Sequence, residues 1–399
     1  MKQRAARRLY FWLFIGLFCA SAPLTVLYTA GYRWSAQGGV VKTGTIFVAS
    51  TPKNATIQVD GKPFADETPT VVKTLRPNTY HVELLLDDHL GWDKSLEVRE
   101  GETTFIENVL LFLDEEPTLY LGEHVQNAAW SPDRERVAWA DHQLGWTEIW
   151  SSPVASPSAK LISRVERNQD ASVSWVDNNT IHISTTTQET WMQPDGTIVP
   201  EPESAEHHSH LETEQGTTNV FSSTNDLTTT LPLSDWHIDD ERGPYILLKN
   251  PSHHRIALLT TADADAPLLL LEDAYQAEWL RQDVLLFSDP FSISIYEPSK
   301  HQTTLITRIS ERIRHTQWHP EGGYMFYATD TQVRAIELDD RDGRRTTDLG
   351  TFSHVESITL YAQGRQLYIV AKKDFDEGIF RRTLYRRGGL CLPGTDCTN

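Results

Sequence analysis

Asn127-Ala128-Ala129-Trp130-Ser131-Pro132-Asp133 is the stretch that decides the fold, and Arg136-Val137-Ala138-Trp139-Ala140 follows it directly. An apolar segment that ends in tryptophan, a Pro-Asp turn and a second apolar segment predict two short antiparallel strands joined by a tight turn. Further versions of this pattern begin at Val173, Ala277 and Thr316, and a version without tryptophan begins at Ser357.

The spacing of these versions indicates a repeat. Trp130 and Trp175 are 45 residues apart, Trp279 and Trp318 are 39 apart, and Ile358 follows Trp318 by 40. Periods near 40 residues with four short strands each are typical of β-propeller blades. The Trp-Ser-Pro-Asp signal resembles the repeats of TolB-type and WD-like propellers.

The blade count depends on the interval between Trp175 and Trp279. Its 104 residues hold one more blade, around Trp236, and a polar insertion at about residues 200–225. The sequence therefore predicts a β-propeller of about six blades over residues 114–387. Leu119-Tyr120-Leu121 is predicted to supply the outer strand of the last blade and so close the ring, which removes exposed sheet edges.

Ahead of the propeller, alternating apolar and polar residues predict a small all-β domain over residues 44–113. Within Gly44–Leu111 the following motifs occur in order: Ser50-Thr51-Pro52, Asp60-Gly61, Thr68-Pro69, Gly91-Trp92 and Gly101-Glu102-Thr103. With these motifs the segment resembles a PEGA domain. This resemblance implies an extracytoplasmic β-sandwich without catalytic residues. Asn54 and Asn78 replace turn glycines of the family, and asparagine tolerates the positive φ of such turns.

The N-terminus is predicted to be an uncleaved transmembrane anchor at residues 9–30. This uncharged run follows a basic segment at residues 1–8, which the positive-inside rule places in the cytoplasm, and a spacer at 31–43 follows it. The rival interpretation is a cleaved signal peptide, because Ala20-Ser21-Ala22 has the pattern of a cleavage site. Pro23 directly after it argues against cleavage.

The charge distribution excludes one class of partner. Lys2, Arg4, Arg7 and Arg8 are four of the 36 basic residues, so the rest of the chain has 32 basic against 55 acidic residues, a net charge of −23. Such a field repels phosphate backbones, and we expect no nucleic-acid binding.

Motifs for catalysis are missing from the sequence: it contains no HExxH, GxSxG, GxGxxG, P-loop or CxxC pair. His207, His208 and His210 are candidate metal ligands by residue type, but their polar, Glu- and Ser-containing setting favours a solvated loop. Cys391 and Cys397, in a tail at residues 388–399, either form a disulfide or remain free thiols. Asp339–Gly343 is interpreted as a hairpin turn, and the repeated tryptophans as packing residues.

These observations predict an all-β ectodomain behind one transmembrane helix. We expect a non-enzymatic envelope protein, without cofactor or catalytic residues, whose propeller face binds a protein or glycan partner. The alternative is a surface hydrolase or lyase with its site in the propeller channel. Several convergent carboxylates or histidines in the channel would favour the enzyme hypothesis, and an apolar or plugged channel would exclude it.

Overall fold

The computed structural model describes residues 2–35, 39–122, 125–166, 171–202, 209–221, 227–261, 266–281 and 283–386. The chain forms two compact units. The first comprises Met1–Asp114, Asp339–Arg344 and Leu384–Asn399, and the second comprises Glu115–Leu338 and Arg345–Thr383.

The first unit begins with helix α1 (Lys2–Thr29). Its segment Tyr10–Thr29 is the one helix in the described part of the chain that is long and apolar enough to cross a membrane. Pro23 lies inside it, and Thr25 Oγ1 donates a hydrogen bond to the carbonyl oxygen of Ser21 (2.9 Å).

Nine strands follow in the part of this unit that the structure describes. They are β1 (Tyr32–Ser35), β2 (Gly39–Lys42), β3 (Gly44–Thr51), β4 (Thr56–Val59), β5 (Lys62–Glu67), β6 (Thr70–Leu75), β7 (Asn78–Leu85), β8 (Trp92–Val98) and β9 (Thr103–Leu110). β1 and β2 form a hairpin, and the others form two sheets with the strand orders β6-β3-β9 and β5-β4-β7-β8. β3 pairs antiparallel with β6 and parallel with β9.

A single apolar core lies between these two sheets. Burial alternates along β3, so that Ile46 and Val48 face inward, and they pack with Ile57, Leu84 and Trp92 from the other sheet. The predicted β-sandwich is therefore confirmed, since each sheet contributes one apolar face.

Of the two asparagines predicted to keep turn geometry, one does so. Asn54 has a φ of 67°. Asn78 instead begins the extended strand β7, where its backbone pairs with Val98. The expectation for Asn78 was wrong, because that backbone is held in the ladder of the sheet.

Within the described residues the second unit contains 27 strands. They are β10 (Thr118–Leu121), β11 (Gln126–Trp130), β12 (Arg136–His142), β13 (Trp146–Pro153), β14 (Lys160–Glu166), β15 (Ala171–Trp175), β16 (Ile181–Thr185), β17 (Glu189–Met192), β18 (Ile198–Val199), β19 (His210–Glu214), β20 (Thr217–Phe221), β21 (Leu227–Pro232), β22 (His237–Arg242), β23 (Tyr245–Asn250), β24 (Arg255–Thr260), β25 (Leu269–Leu271), β26 (Gln276–Arg281), β27 (Val284–Ser288), β28 (Ser292–Glu297), β29 (Gln302–Arg308), β30 (Ile313–Trp318), β31 (Tyr324–Thr329), β32 (Gln332–Glu337), β33 (Thr346–Thr351), β34 (His354–Tyr361), β35 (Gln366–Lys373) and β36 (Asp376–Thr383). Single turns of 3₁₀ helix lie at Pro251–His253 and Pro298–Lys300.

Within the described residues these strands form seven antiparallel sheets, which we number as blades 1 to 7. Their strand orders are β11-β12-β13-β14, β15-β16-β17-β18, β19-β20-β21, β22-β23-β24-β25, β26-β27-β28-β29, β30-β31-β32-β33 and β34-β35-β36-β10. The repeated four-stranded sheet is the blade of a β-propeller, as predicted.

The additional sheet replaces part of the predicted insertion at residues 200–225. β19 and β20 lie within that segment and pair with β21 to form blade 3. Thr218 and Val220 are fully buried and alternate with less buried neighbours, which is the period of a strand. Polar residues on the outer positions of these strands hide the period in the sequence, which is why about six blades were predicted and seven sheets are present.

The ring closes as the sequence predicted. β10 pairs antiparallel with β36, so residues at the start of the unit complete the sheet built by residues at its end. Tyr120 from β10 also contacts the ring of Tyr368 at 5.2 Å between centroids. This closure covers the edge that β36 otherwise exposes.

Candidate binding surfaces of the propeller

Neighbouring inner strands of the ring are joined by side chains. At three successive junctions a side-chain oxygen on one inner strand accepts a hydrogen bond from a backbone N–H of the next inner strand. The pairs are Gln276 with Thr316 (2.6 Å), Gln317 with Leu360 (2.9 Å) and Glu356 with Ala128 (3.3 Å). These bonds link blades 5, 6, 7 and 1, and they fix the wall of the channel.

The channel contains a cavity of about 480 Å³ whose lining includes Arg134, Lys249, Glu278 and His315, here named the channel site. The Trp-Ser-Pro-Asp turn positions Arg134. Ser131 Oγ donates to Asp133 Oδ1 (2.6 Å), and Arg134 itself has a φ of 63°. A non-glycine residue in this conformation is uncommon, and here it directs the guanidinium group across the channel.

Arg134 bridges three blades. Its Nη1 donates to the carbonyl oxygen of Leu360 on β34 (3.4 Å), and its Nη2 lies 3.6 Å from Glu278 Oε1 on β26. The Arg134 and Glu278 side chains are 33% and 40% exposed, so both reach water in the channel. A partly solvated pair of this kind contributes little stability, and both groups remain accessible to a ligand.

Two groups of the channel site have shifted pKa values. Burial in the channel wall raises the pKa of Glu278, and the nearby charge of Arg134 partly opposes this. Burial, together with the nearby charge of Arg134, lowers the pKa of His315 to about 4. His315 is therefore neutral at pH 7, and its buried Nδ1 has no hydrogen-bond partner among the residues that the structure describes.

A second surface is formed by hairpin tips. Leu144 is 92% exposed between β12 and β13, Phe375 is fully exposed between β35 and β36, and Phe291 is 47% exposed between β27 and β28. Each hairpin joins the second and third strands of its blade, so the three tips lie at the same end of the ring. We name Leu144, Phe291 and Phe375 the hairpin-tip surface.

The tips are ordered by local hydrogen bonds. Asp289 Oδ1 accepts from the backbone N–H of Phe291 (2.7 Å), and Gln143 N donates to the carbonyl oxygen of Trp146 (2.9 Å). Blades 7 and 1 are neighbours through the Glu356–Ala128 bond, so Phe375 and Leu144 belong to adjacent blades.

The sandwich of the first unit spans the segment for which the sequence predicted a family, from β3 to β9. Residues 43–111 match the model of the PEGA domain. The PEGA domain is thus the first recognisable module of this chain, and its strands account for the two sheets around Ile46 and Ile57.

Comparison with solved structures finds chains that are similar to part of this chain. One is from the "Crystal Structure of Mitotic Checkpoint Complex", at 12% identity and a TM-score of 0.47, covering 67% of this chain and 92% of that chain. Another is the "C-Terminal WD40 Domain Of Sif2", at 9% identity and a TM-score of 0.45, covering 67% of this chain and 98% of that chain. A search among curated proteins gives no match.

Of the three histidines considered as candidate metal ligands, His210 is the one that lies within the described residues. His210 is the exposed first residue of β19, where its ring stacks on Phe221 at 4.8 Å. His207 and His208 lie outside the described residues, as do Cys391 and Cys397. Within the part of the chain that the structure describes, no group of three or more His, Cys, Asp or Glu residues is placed to hold a metal.

The Asp339–Gly343 segment connects β32 and β33, as expected of a hairpin turn. Its carboxylates are already engaged within the first unit. Asp342 Oδ2 accepts from the backbone N–H of Ser95 (2.7 Å), and Asp339 lies 3.7 Å from the buried ammonium group of Lys94.

The repeated tryptophans pack the blades. Trp279 and Trp318 are buried, and Trp130 contacts the ring of Tyr368 at 5.6 Å. Trp175 Nε1 donates to the carbonyl oxygen of Ala129 (3.0 Å), which joins blade 2 to blade 1. These contacts agree with the predicted packing role.

Sequence reasoning did not identify the channel site. A signal for it existed, because Glu278 and Gln317 each directly precede a buried tryptophan on an inner strand. Successive residues of a strand face opposite sides, so a polar residue beside a core tryptophan points away from that core. His315 and Arg134 carry no comparable signal, since their contacts come from other blades.

Proposed function

We propose that this is a bacterial cell-envelope protein, single-pass in the cell membrane, that binds a protein partner through its propeller without catalysing a reaction. The hairpin-tip surface carries the proposal. Phe375 and Leu144 are fully or largely exposed on adjacent blades, and a partner that covers them removes this apolar surface from water. A glycan is the other partner class that the propeller face admits.

The topology is proposed from the N-terminal segment. Basic residues precede the apolar part of α1, and no acidic residue occurs before Asp60, so the N-terminus is placed in the cytoplasm. The PEGA domain and the propeller are then extracytoplasmic. The acidic excess of this part favours a basic or neutral partner surface.

Binding is tested with the full chain solubilised from membranes, carrying an affinity tag. A double variant, Leu144→Asp with Phe375→Asp, places charges on the hairpin-tip surface, and Ile198→Asp is the matched control. Ile198 is 71% exposed on β18, an outer strand of blade 2. We expect recovery of a discrete partner to fall at least tenfold with the double variant and to be unchanged with the control. Equal recovery with all three proteins contradicts the proposal.

A hydrolase or lyase is the second candidate, and one observation favours it. Glu278, with a raised pKa, and neutral His315 line the same cavity, and these residue types perform acid–base catalysis. The test is hydrolysis of chromogenic esters and glycosides by the purified full chain. Activity that disappears in Glu278→Gln, while binding through the tips persists, assigns the channel to catalysis.

A further inference from the structure

The hairpin of β1 and β2 is attached to the end of α1. Thr43 donates to the carbonyl oxygen of Gly31 twice, from its backbone N–H (2.9 Å) and from Oγ1 (2.8 Å). Gly31 has a φ of 89°, which lets the chain leave the helix directly into β1. The position of the hairpin is therefore fixed relative to the helix end.

One face of this hairpin is apolar and uncovered. Trp34 and Val40 are directly paired across the two strands, so their side chains lie on the same face. Trp34 is 74% exposed and Val40 is 50% exposed, and Tyr28 in the last turn of α1 is 63% exposed. Tryptophan and tyrosine are the residues enriched where lipid chains meet headgroups.

Arg33 places a cation beside these aromatic residues, at the C-terminal end of α1. Its Nη1 donates to the carbonyl oxygens of Tyr28 (2.8 Å) and Tyr32 (2.9 Å), and its guanidinium carbon lies 3.7 Å from the centroid of the Tyr28 ring. A cation is favoured at a helix C-terminus, and its remaining N–H groups suit lipid phosphates.

The length of α1 sets the height of these residues in a bilayer. Tyr10–Thr29 has 20 residues, which at about 1.5 Å per residue matches a hydrocarbon core of about 30 Å. Thr29 then lies at the edge of the core, and Tyr32 begins the hairpin three residues later. The headgroup layer starts at this level.

We propose that the β1–β2 hairpin lies in the outer headgroup layer of the membrane, with Trp34 and Val40 inserted at the lipid interface and Arg33 near phosphates. The inference rests on the proposed anchor. The hairpin is also held to the PEGA domain, because Arg76 Nη2 donates to the carbonyl oxygen of Trp34 (3.2 Å) and Glu100 Oε1 accepts from Lys42 N (3.1 Å). It thus acts as a second, rigid attachment that positions this domain at the membrane surface.

The test uses the full chain reconstituted in vesicles of phosphatidylcholine brominated near the carbonyl end of its acyl chains. Bromine quenches nearby tryptophans, and Trp12 and Trp34 are the two that precede Trp92 in the sequence. In Trp34→Phe we expect the lipid-quenched part of the fluorescence to fall by about half. Trp146→Phe is the matched control, since Trp146 is a half-exposed propeller residue, and it should leave that part unchanged.

Flotation of the same vesicles distinguishes a failure of the proposed transmembrane anchor from a failure of the hairpin proposal. Protein that fails to float contradicts the anchor itself. Protein that floats but shows equal quenching in wild type and Trp34→Phe overturns the hairpin proposal alone. Efficient disulfide cross-linking between Val40→Cys copies would also overturn it, because a second copy of the chain then covers this face.

Discussion

His319 should make the propeller sensitive to acid. Its side chain is fully buried, with Nε2 3.2 Å from the carbonyl oxygen of Gly364 and Nδ1 accepting from the backbone N–H of Glu321 (3.3 Å). This arrangement requires the neutral ring, because a proton on Nδ1 removes the acceptor. Burial lowers the pKa of His319 to about 4.

The direction of the effect follows from linkage. The unfolded chain, with an ordinary histidine pKa near 6.5, binds the proton before the folded chain does, so the contribution to the free energy of unfolding is complete above about pH 6.5 and is lost as pH falls toward 4. A difference of about 2.5 pKa units at about 1.36 kcal/mol each corresponds to roughly 3.4 kcal/mol in full, of which about 2.5 kcal/mol is lost by pH 4.5.

The assay compares wild type with His319→Gln, whose amide keeps a donor toward Gly364. Urea unfolding of the full chain in detergent is followed by tryptophan fluorescence at pH 7 and pH 4.5. The free energy of unfolding should fall between these two pH values by about 2.5 kcal/mol more in wild type than in the variant. Burial raises the pKa values of Glu278 and Glu356, so these two residues stabilise the folded chain as the pH falls. Their contribution to the free energy of unfolding is the same in both proteins and cancels in the comparison. Exposed His354→Gln is the control. Equal losses in wild type and His319→Gln refute the reasoning.

Three further predictions concern contacts between blades, each read from thermal unfolding of the full chain. Gly364→Ala should destabilise the propeller by at least about 1 kcal/mol, because φ is 83° and the new Cβ would lie 2.2 Å from His319 Nε2; a variant as stable as wild type contradicts this contact. Gln317→Leu should lower the free energy of unfolding by about 1–3 kcal/mol, because it leaves the Leu360 N–H unpaired. The control variant Gln302→Leu, at an exposed position, should leave the stability almost unchanged. Equal effects of the two substitutions would argue against the Gln317–Leu360 bond. Arg382→Met should lower the free energy of unfolding by about 1.5–3 kcal/mol, since Arg382 Nη1 donates to the buried carbonyl oxygen of Leu349 on blade 6 (2.9 Å). An unchanged midpoint of thermal unfolding would show that this bond does not stabilise the propeller.

The architecture was predictable where a local pattern repeats. The repeated tryptophans lie in inner strands or end them, and they pack the blades: Trp130, Trp175, Trp279 and Trp318. Their spacing therefore predicts the propeller. The closing strand was also predictable, because Leu119-Tyr120-Leu121 is apolar and stands ahead of the first repeat.

Blade 3 could not be predicted in the same way. Its buried residues, such as Thr218 and Val220, are flanked by threonine, asparagine and glutamate, so composition indicates a loop although the period is that of a strand. The hydrogen bonds of the ladder do not depend on side-chain polarity, and the core around Leu231 and Trp236 supplies the apolar contact.

The channel site depends on contacts that are distant in the sequence. Arg134 reaches the carbonyl oxygen of Leu360, 226 residues away, only because the ring closes. The exposed tips were not identified either, since an isolated apolar residue in a turn has no sequence signature of exposure. Both surfaces follow from the tertiary arrangement and not from a motif.

The most direct test of the binding proposal is photo-cross-linking in intact cells of the source organism. A photoreactive phenylalanine analogue replaces Phe375 in the full chain, and the same analogue at Ile198 serves as the control. We predict one discrete adduct at position 375 and none at position 198. An absence of adduct at position 375 in a natively folded chain, or the same adduct at both positions, would contradict binding through the hairpin-tip surface.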